Sequence, residues 1–507
     1  MASNALPALP ARDREDWVSA WRERLEATPV WLVPWLRHQR DGAYWRQGSL
    51  APSYDRIQAA ILLFGGWMDS YVDPVFRMLE RCPAPTRAIV GNWSHEYPDN
   101  GYPGPNLDWL HEMVRFFDHW LKGEANGAMD EPALTWYQRD FAPPEPFPAT
   151  WPGRWRAAAR DPLAANAARH RTLWLESGDE ALRGRLVDGA RGSTAETGAT
   201  FPHRATIGTR GGLSWGAGSR PNGLARDIRP DESGVPTYTS APLAEPLEIL
   251  GMAGLVVRVS SDMPVATLVV RVSDVAPDGA SAQITAGILN LTHRRSHETP
   301  EPLEPGVAET VRVPLRATGY RFAAGHRIRV SIASSCWPVI FPSPHRGSLT
   351  IHEGGATPAA SHLELPLAPD RDDATVPAFR TEPAALDAVG GGSEDPPAWR
   401  VTDDVLAGTV TVSTHDGGAT VLPDGTRLYS AESHDLTASD ADPAHARMAS
   451  RIRYRLDRDG HAIEIDVDGD TSSDMDAFHL DIRLAVRLDA EAFHAARTTE
   501  WIPRDLV

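Results

Sequence analysis

Two short apolar runs, Ala59-Ala60-Ile61-Leu62-Leu63-Phe64 and Ala88-Ile89-Val90, bracket an amphipathic segment over 73–81. That arrangement leaves few folds open. Asp73 stands in the N-cap position, Pro74 where a first helical turn tolerates proline, and Val75, Met78 and Leu79 share one face. Strand, helix and strand within roughly 30 residues make a βαβ unit, and its crossover forces the two strands parallel. Each strand runs into a glycine-led turn, Gly66-Trp67-Met68-Asp69 after the first and Gly91-Asn92-Trp93-Ser94-His95 after the second. An acid and a histidine therefore emerge together at the C-terminal edge of a parallel sheet, where open α/β sheets bind ligands.

A carboxylate that holds one imidazole nitrogen fixes the tautomer, so the other nitrogen can accept a proton from a nucleophile. Asp69 and His95 are the candidate acid and base. The bland alternative is an Asp and a His that only share a sheet edge, and Asp73 competes for the acid role, although a place before Pro74 suits an N-cap better. Over 107–121, Leu110, Met113, Val114, Phe117, Trp120 and Leu121 form a broad apolar helical face that ends at Lys122-Gly123, a C-cap signal. His111-Glu112 opens like a zinc-protease motif, but Arg115 occupies the second ligand position.

Gly-Trp-x-Asp, then Gly-x-Trp-Ser-His, then Val114-Arg115-Phe116-Phe117-Asp118-His119-Trp120-Leu121-Lys122-Gly123 and Met129-Asp130-Glu131-Pro132, resemble the cocaine-esterase-like (CocE/NonD) serine hydrolases. These are relatives of the X-Pro dipeptidyl-peptidases. The resemblance implies hydrolysis of an ester or X-Pro-type amide, with Asp69 as triad acid, His95 as triad base and no metal or cofactor. It also implies a serine in a Gly-x-Ser-Tyr-x-Gly elbow upstream of Gly66, and no such motif stands there. The expectation is thus a chain lacking the N-terminal half with the nucleophile, inactive alone. Gly212-Leu213-Ser214-Trp215-Gly216 matches Gly-x-Ser-x-Gly, but turn residues follow it where a nucleophile elbow needs a helix.

The remaining chain reads as modules. Trp17 to Gln39 has a helical pattern, broken at Thr28-Pro29, and resembles the end of a helical cap; Trp31, Trp35 and Trp45 are packing residues or walls of an acyl pocket. After Trp155 short alternating runs such as 255–259, 266–272 and 328–332 are divided by turns, as in an antiparallel sandwich. The expected class is α/β plus all-β. A cap remnant occupies 1–57 and the C-terminal part of an α/β-hydrolase domain 58–150. A jelly-roll β-sandwich, galactose-binding-like and similar to the X-Pro dipeptidyl-peptidase C-terminal domain, fills 151–380, and a further β domain 398–507 follows a Gly390-Gly391-Gly392-Ser393 linker.

A net charge of −18 argues against a nucleic-acid ligand. Two cysteines, Cys82 and Cys336, cannot build a disulfide framework or a zinc site. Asp466, Asp468 and Asp470 hint at calcium, but Gly469 does not fall where a calcium loop needs its glycine. No apolar stretch reaches membrane-spanning length and no signal architecture opens the chain, so a cytoplasmic location is expected. The expected partner is a small acyl ester or peptide substrate, with a homo-oligomer or a complementing N-terminal half left open. The rival from another class is a non-catalytic binding or structural protein that uses its sandwich modules for docking.

Overall fold

The strand–helix–strand unit forms where the apolar runs place it. A computed structural model of the protein describes residues 2–7, 17–159, 169–189, 197–211, 223–353, 360–372, 374–381, 395–422, 425–458 and 460–507. Ser214 and the 390–393 linker lie outside the described residues. The chain divides into two units, one of Met1–Gly42, Phe341–His345 and Ala385–Val507, the other of Ala43–Ile340 and Arg346–Ala384.

In the larger unit, β1 (Ile61–Gly66), β2 (Thr86–Gly91) and β3 (Leu134–Arg139) lie parallel in that order, and β4 (Gly153–Ala158) runs antiparallel to β3. β3 is buried along its whole length and β2 nearly so, whereas Ile61 to Gly65 of β1 stay partly exposed. The helix Val72–Arg81 crosses between β1 and β2 and buries Val72, Val75 and Phe76 against them. Asp73 is not its N-cap. Tyr71 holds that position without a side-chain cap, and Asp73 sits in the first turn, where its Oδ1 accepts the Ala317 N–H at 2.8 Å. A long-range partner thus outcompetes the local one.

Beyond β3 the sheet continues through a single pair, Tyr320 with Arg139, into the strand Glu309–Phe322. That strand pairs antiparallel with Leu247–Ser261, and further strands extend the sheet through to His362–Pro366. The result is a mixed α/β sheet, parallel at one end and antiparallel beyond. Its main core gathers Leu255, Val257, Leu268, Val270, Val330 and Ile351 among others, all buried. Between Pro314 and Ala317 the ladder shifts register, so Leu315 and Arg316 oppose only Ala253: a β-bulge.

The helix Trp109–Lys122 starts at an Asp108 cap, whose side chain accepts the His111 N–H at 3.0 Å, two residues later than the 107 start read from the sequence, and ends at Gly123 in the left-handed conformation, as its sequence predicts. Its faces are not as predicted. The buried side chains are Glu112 and Phe116, while Leu110, Val114, Phe117 and Leu121 point outward. Glu112 is drawn inward by Arg87 of β2, 1% exposed, at 3.0 Å, and Arg115 and Glu131 complete the ion cluster. Burying Arg87 and Glu112 is tolerable because they pair with each other and with the half-buried Arg115 and Glu131.

The smaller unit holds an all-antiparallel sheet of seven strands in chain order, from Asp395–Asp404 to Glu491–Pro503. The helices Trp17–Ala27 and Leu32–Arg37, which resemble a cap in sequence, place Trp21, Leu25 and Val33 against the apolar face of that sheet, among Ile465, Phe493 and Ile502. Trp21 finds its hydrophobic partner there with Trp17 packed beside it, while Trp31 and Trp35, read as packing residues or pocket walls, stay exposed. Asp466, Asp468 and Asp470 alternate on one strand, and each is salt-bridged to an arginine of the neighbouring strand, Arg455, Arg453 and Arg447. Cross-strand charge pairing accounts for the acidic pattern.

The buried ion cluster generates a stability prediction. Glu112→Ala should cost about 3–5 kcal/mol by stranding Arg87, whereas Arg87→Met with Glu112→Leu should cost far less. Urea unfolding of the two variants compares them directly.

Candidate active site

The hydrogen bonding of β1 to β2 does not stop with the strands. Trp67 N–H donates to the Gly91 carbonyl at 3.0 Å and Met68 N–H to the Trp93 carbonyl at 3.1 Å, so the two turns remain clamped together. Trp67 is anchored by its indole N–H on the Tyr137 carbonyl at 2.7 Å and by stacking on Phe76. Trp93 is fully buried and donates to the Pro105 carbonyl at 2.8 Å. Gly66, Gly91 and Gly101 make room for it. A Cβ on Gly66 would collide with the Trp93 carbonyl, and one on Gly91 with the Trp93 ring. The glycines flanking the Asp and His turns are thus required by close approach to Trp93.

This clamp brings the two residues read from the sequence together. His95 Nδ1–H donates to Asp69 Oδ2 at 3.0 Å, and Asp69 Oδ1 accepts the Tyr71 N–H at 3.0 Å. The carboxylate is therefore held at both oxygens. Its side chain is 18% exposed against 57% for the imidazole, the arrangement expected of an orienting acid behind a working base. His95 Nε2 has no hydrogen-bond partner among the described residues. It borders a cleft of about 410 Å³ lined by Phe64, Trp93, Ser94, Glu96, Tyr97 and Trp109. Tyr97 stacks on Trp109 at 5.0 Å between ring centres, and the Tyr71 ring lies 5.3 Å from the imidazole. The walls are aromatic, with one carboxyl, Glu96, which burial pushes upward while His95 pulls it back.

A cation that the sequence does not reveal bears on the acid. Burial lowers the pKa of Arg316, carried by the β-bulge, while the charges of Asp73 and Asp69 oppose that shift. Sequence offers no signal for it, since it is some 250 residues from Asp69. Other candidates are placed elsewhere. His111 and His119 lie on the 109–122 helix, where His119 Nδ1 bonds the Glu124 carbonyl at 3.0 Å. The Ser94 hydroxyl is buried and makes no described hydrogen bond, to His95 or otherwise. Cys82 and Cys336 are both free thiols, and the described residues hold no group of three or more His, Cys, Asp or Glu arranged for a metal.

Comparison with known proteins now bears on this geometry. The sequence model of the X-Pro dipeptidyl-peptidase (S15 family) matches residues 3–97, and that of the X-Pro dipeptidyl-peptidase C-terminal non-catalytic domain matches 126–366. A putative serine esterase of Mycobacterium bovis is 29% identical over 308 residues, 55% of this chain and 45% of that protein. The cocaine esterase of a Rhodococcus species is 25% identical over 376 residues, 66% of this chain and 62% of that one. Among solved structures, a CocE/NonD family hydrolase from Staphylococcus aureus has a TM-score of 0.51 at 16% identity, over 70% of this chain and 62% of that chain. An α-amino acid ester hydrolase has a TM-score of 0.53 at 19% identity, over 69% and 62%.

The chain is thus similar, over two successive segments, to X-Pro dipeptidyl-peptidases of the S15 family and to esterases related to them. That similarity is consistent with classification as a hydrolase by family. The chain spans between 45% and 62% of the length of these curated relatives. The comparison also corrects one expectation. The S15 catalytic domain is represented at residues 3–97, the segment that carries Asp69 and His95, so the view of a chain lacking its N-terminal catalytic half does not stand. The absence of the six-residue elbow signature upstream of Gly66 is a narrower signal than the similarity of the whole 3–97 segment.

The glycine contacts yield a prediction for the family motif. Gly66→Ala should destabilise the fold by about 1–3 kcal/mol through displacement of the Trp93 backbone. The His95–Asp69 hydrogen bond, followed as a downfield Nδ1 proton resonance, should weaken with it.

Proposed function

We propose that the chain is a serine-type acyl hydrolase of small esters, in which Asp69 orients His95 and His95 moves the proton. The observation that carries this reading is the Asp69–His95 hydrogen bond at 3.0 Å with Nε2 left open to an aromatic cleft. A serine hydroxyl attacks the acyl carbon as Nε2 takes its proton, and the imidazolium that forms is stabilised by the Asp69 carboxylate. The tetrahedral intermediate collapses as Nε2–H protonates the leaving alcohol, and a water repeats the sequence on the acyl-enzyme. No described hydroxyl hydrogen-bonds to Nε2, so the serine is the member of the triad to be identified by experiment.

The walls of the cleft support the substrate class. Phe64, Trp93, Tyr97 and Trp109 offer apolar and aromatic surface suited to a small apolar acyl group. The names of the relatives point the same way: a serine esterase, a cocaine esterase and an α-amino acid ester hydrolase. Amides of the X-Pro type are the second substrate class, supported by the S15 match.

A fluorophosphonate probe with peptide mapping tests the reading. One serine should be labelled, and labelling should be lost in His95→Ala. Turnover of aryl esters should fall about 10⁴-fold in Asp69→Asn, which keeps the shape of the acid but imposes the wrong tautomer on His95. Absence of both labelling and ester turnover in the wild-type chain overturns the proposal.

A further inference from the structure

The loop between the strands Ser281–Asn290 and Glu309–Phe322 carries two imidazoles that the candidate active site does not use. His293 and His297 set Nδ1 against Nδ1 at 3.3 Å, with their rings tilted by 41°. Other histidines of the chain choose oxygen. His326 and His461 each place a ring nitrogen on a carboxylate at 2.8 Å, and His119 places one on a carbonyl at 3.0 Å. Two Nδ1 atoms that face each other have two uses. Either one Nδ1–H donates to the lone pair of the other, or both lone pairs converge on a cation.

The loop holds both rings in place before any ion arrives. A short 3₁₀ turn, Leu291–His293, opens with the Asn290 side chain accepting the Thr292 N–H at 3.1 Å, and Leu291 and Thr292 are buried. Arg294 ties the turn down by donating to the Leu291 and Glu301 carbonyls at 3.1 and 2.9 Å. Around His297, the Ser296 hydroxyl accepts the Glu298 and Thr299 N–H groups at 3.2 and 3.0 Å. A ligand pair fixed in this way binds without first ordering its loop.

We propose that His293 and His297 bind a zinc ion through their Nδ1 atoms, with water completing a tetrahedral shell. Zinc–imidazole bonds run about 2.0–2.1 Å, so two nitrogens on a tetrahedral ion stand about 3.3–3.4 Å apart. The 3.3 Å separation already matches that edge. Both rings then carry their proton on Nε2, so passing from hydrogen bond to ligand pair needs a tautomer shift in one ring and releases no proton. Imidazole suits zinc, copper and nickel, whereas magnesium and calcium take oxygen ligands.

Charge does not oppose the ion. Glu309 takes Arg294 at 2.8 Å and Arg295 at 2.9 Å, and Glu301 takes Arg295 at 3.1 Å. Glu298, next to His297, faces Arg46 at 2.7 Å. Three glutamates thus balance three arginines around the pair, and a cation meets no net positive field. With two protein ligands the site stays open to water, so the ion is exchangeable and braces the loop. Neither ligand belongs to the Asp69–His95 pair, and the proposal stands independently of ester hydrolysis.

Calorimetric titration of ZnCl2 into the metal-free full chain tests this. The wild type should show a site that His297→Ala weakens at least about ten-fold, since even loss of a group that orients a metal ligand costs that much. His297 is exposed, so the metal-free melting temperature should be the same in both chains. Zinc should raise it more in the wild type, because an ion that binds the folded state stabilises it. A second measurement needs no variant. Substoichiometric CuCl2, the stronger binder at imidazole sites, should broaden the His293 and His297 ring resonances before those of other histidines. Zinc uptake that is equal in wild type and His297→Ala overturns the proposal, as does broadening that starts elsewhere, such as at His461 beside Asp489. So does a wild type that takes up no zinc, which leaves the contact a plain N–H···N hydrogen bond.

Discussion

The candidate site depends on the parallel pairing of β1 with β2 and on its continuation past the strand ends. Two backbone hydrogen bonds, Trp67 to Gly91 and Met68 to Trp93, hold the turns in the register of the strands behind them. Without them the Asp69 and His95 side chains would project from independent loops. With them, the 3.0 Å contact follows from the sheet itself. The bulky residue that enforces the closure is Trp93, and the three glycines around it show how little tolerance the packing has.

The βαβ unit and the meeting of Asp69 with His95 were legible because their signals are local: an apolar run, a glycine turn, an amphipathic helix. The C-terminal end of the 109–122 helix was legible for the same reason, through Gly123, while its Asp108 cap was not. Neither was the orientation of the helix. Periodicity finds an apolar face but cannot say whether the chain itself supplies the partner, and here Arg87 turned Glu112 inward while Leu110, Val114, Phe117 and Leu121 went out. Asp73 shows a similar limit. Its sequence context favours a cap, and only the fold reveals Ala317, far along the chain, as its partner.

The N-terminal tryptophans make the point for packing. Trp17, Trp21 and Leu25 announce an amphipathic helix, yet nothing in them names the surface they will bury. The structure answers with Phe493, against which the Trp21 ring stacks at 4.6 Å, over 450 residues away. Hydrophobic burial is non-directional, so complementary area rather than sequence proximity selects the partner. The acidic strand 464–470 was resolvable in advance only as far as its charge; its arginine partners lie one strand over, at cross-strand positions no local motif encodes.

The bulge between Pro314 and Ala317 has a consequence for how such proteins can be recombined. The segment that resembles a non-catalytic domain brings the charge of Arg316 to bear on the candidate catalytic acid and offers the Ala317 N–H to the crossover helix. A chimera that joins the first 125 residues of this chain to the β region of a relative would respect the family boundaries and still inherit a foreign charge bearing on Asp69. The electrostatic unit and the modular unit have different borders, so grafting experiments must carry residues 314–317 with the catalytic segment, not with the strands that surround them.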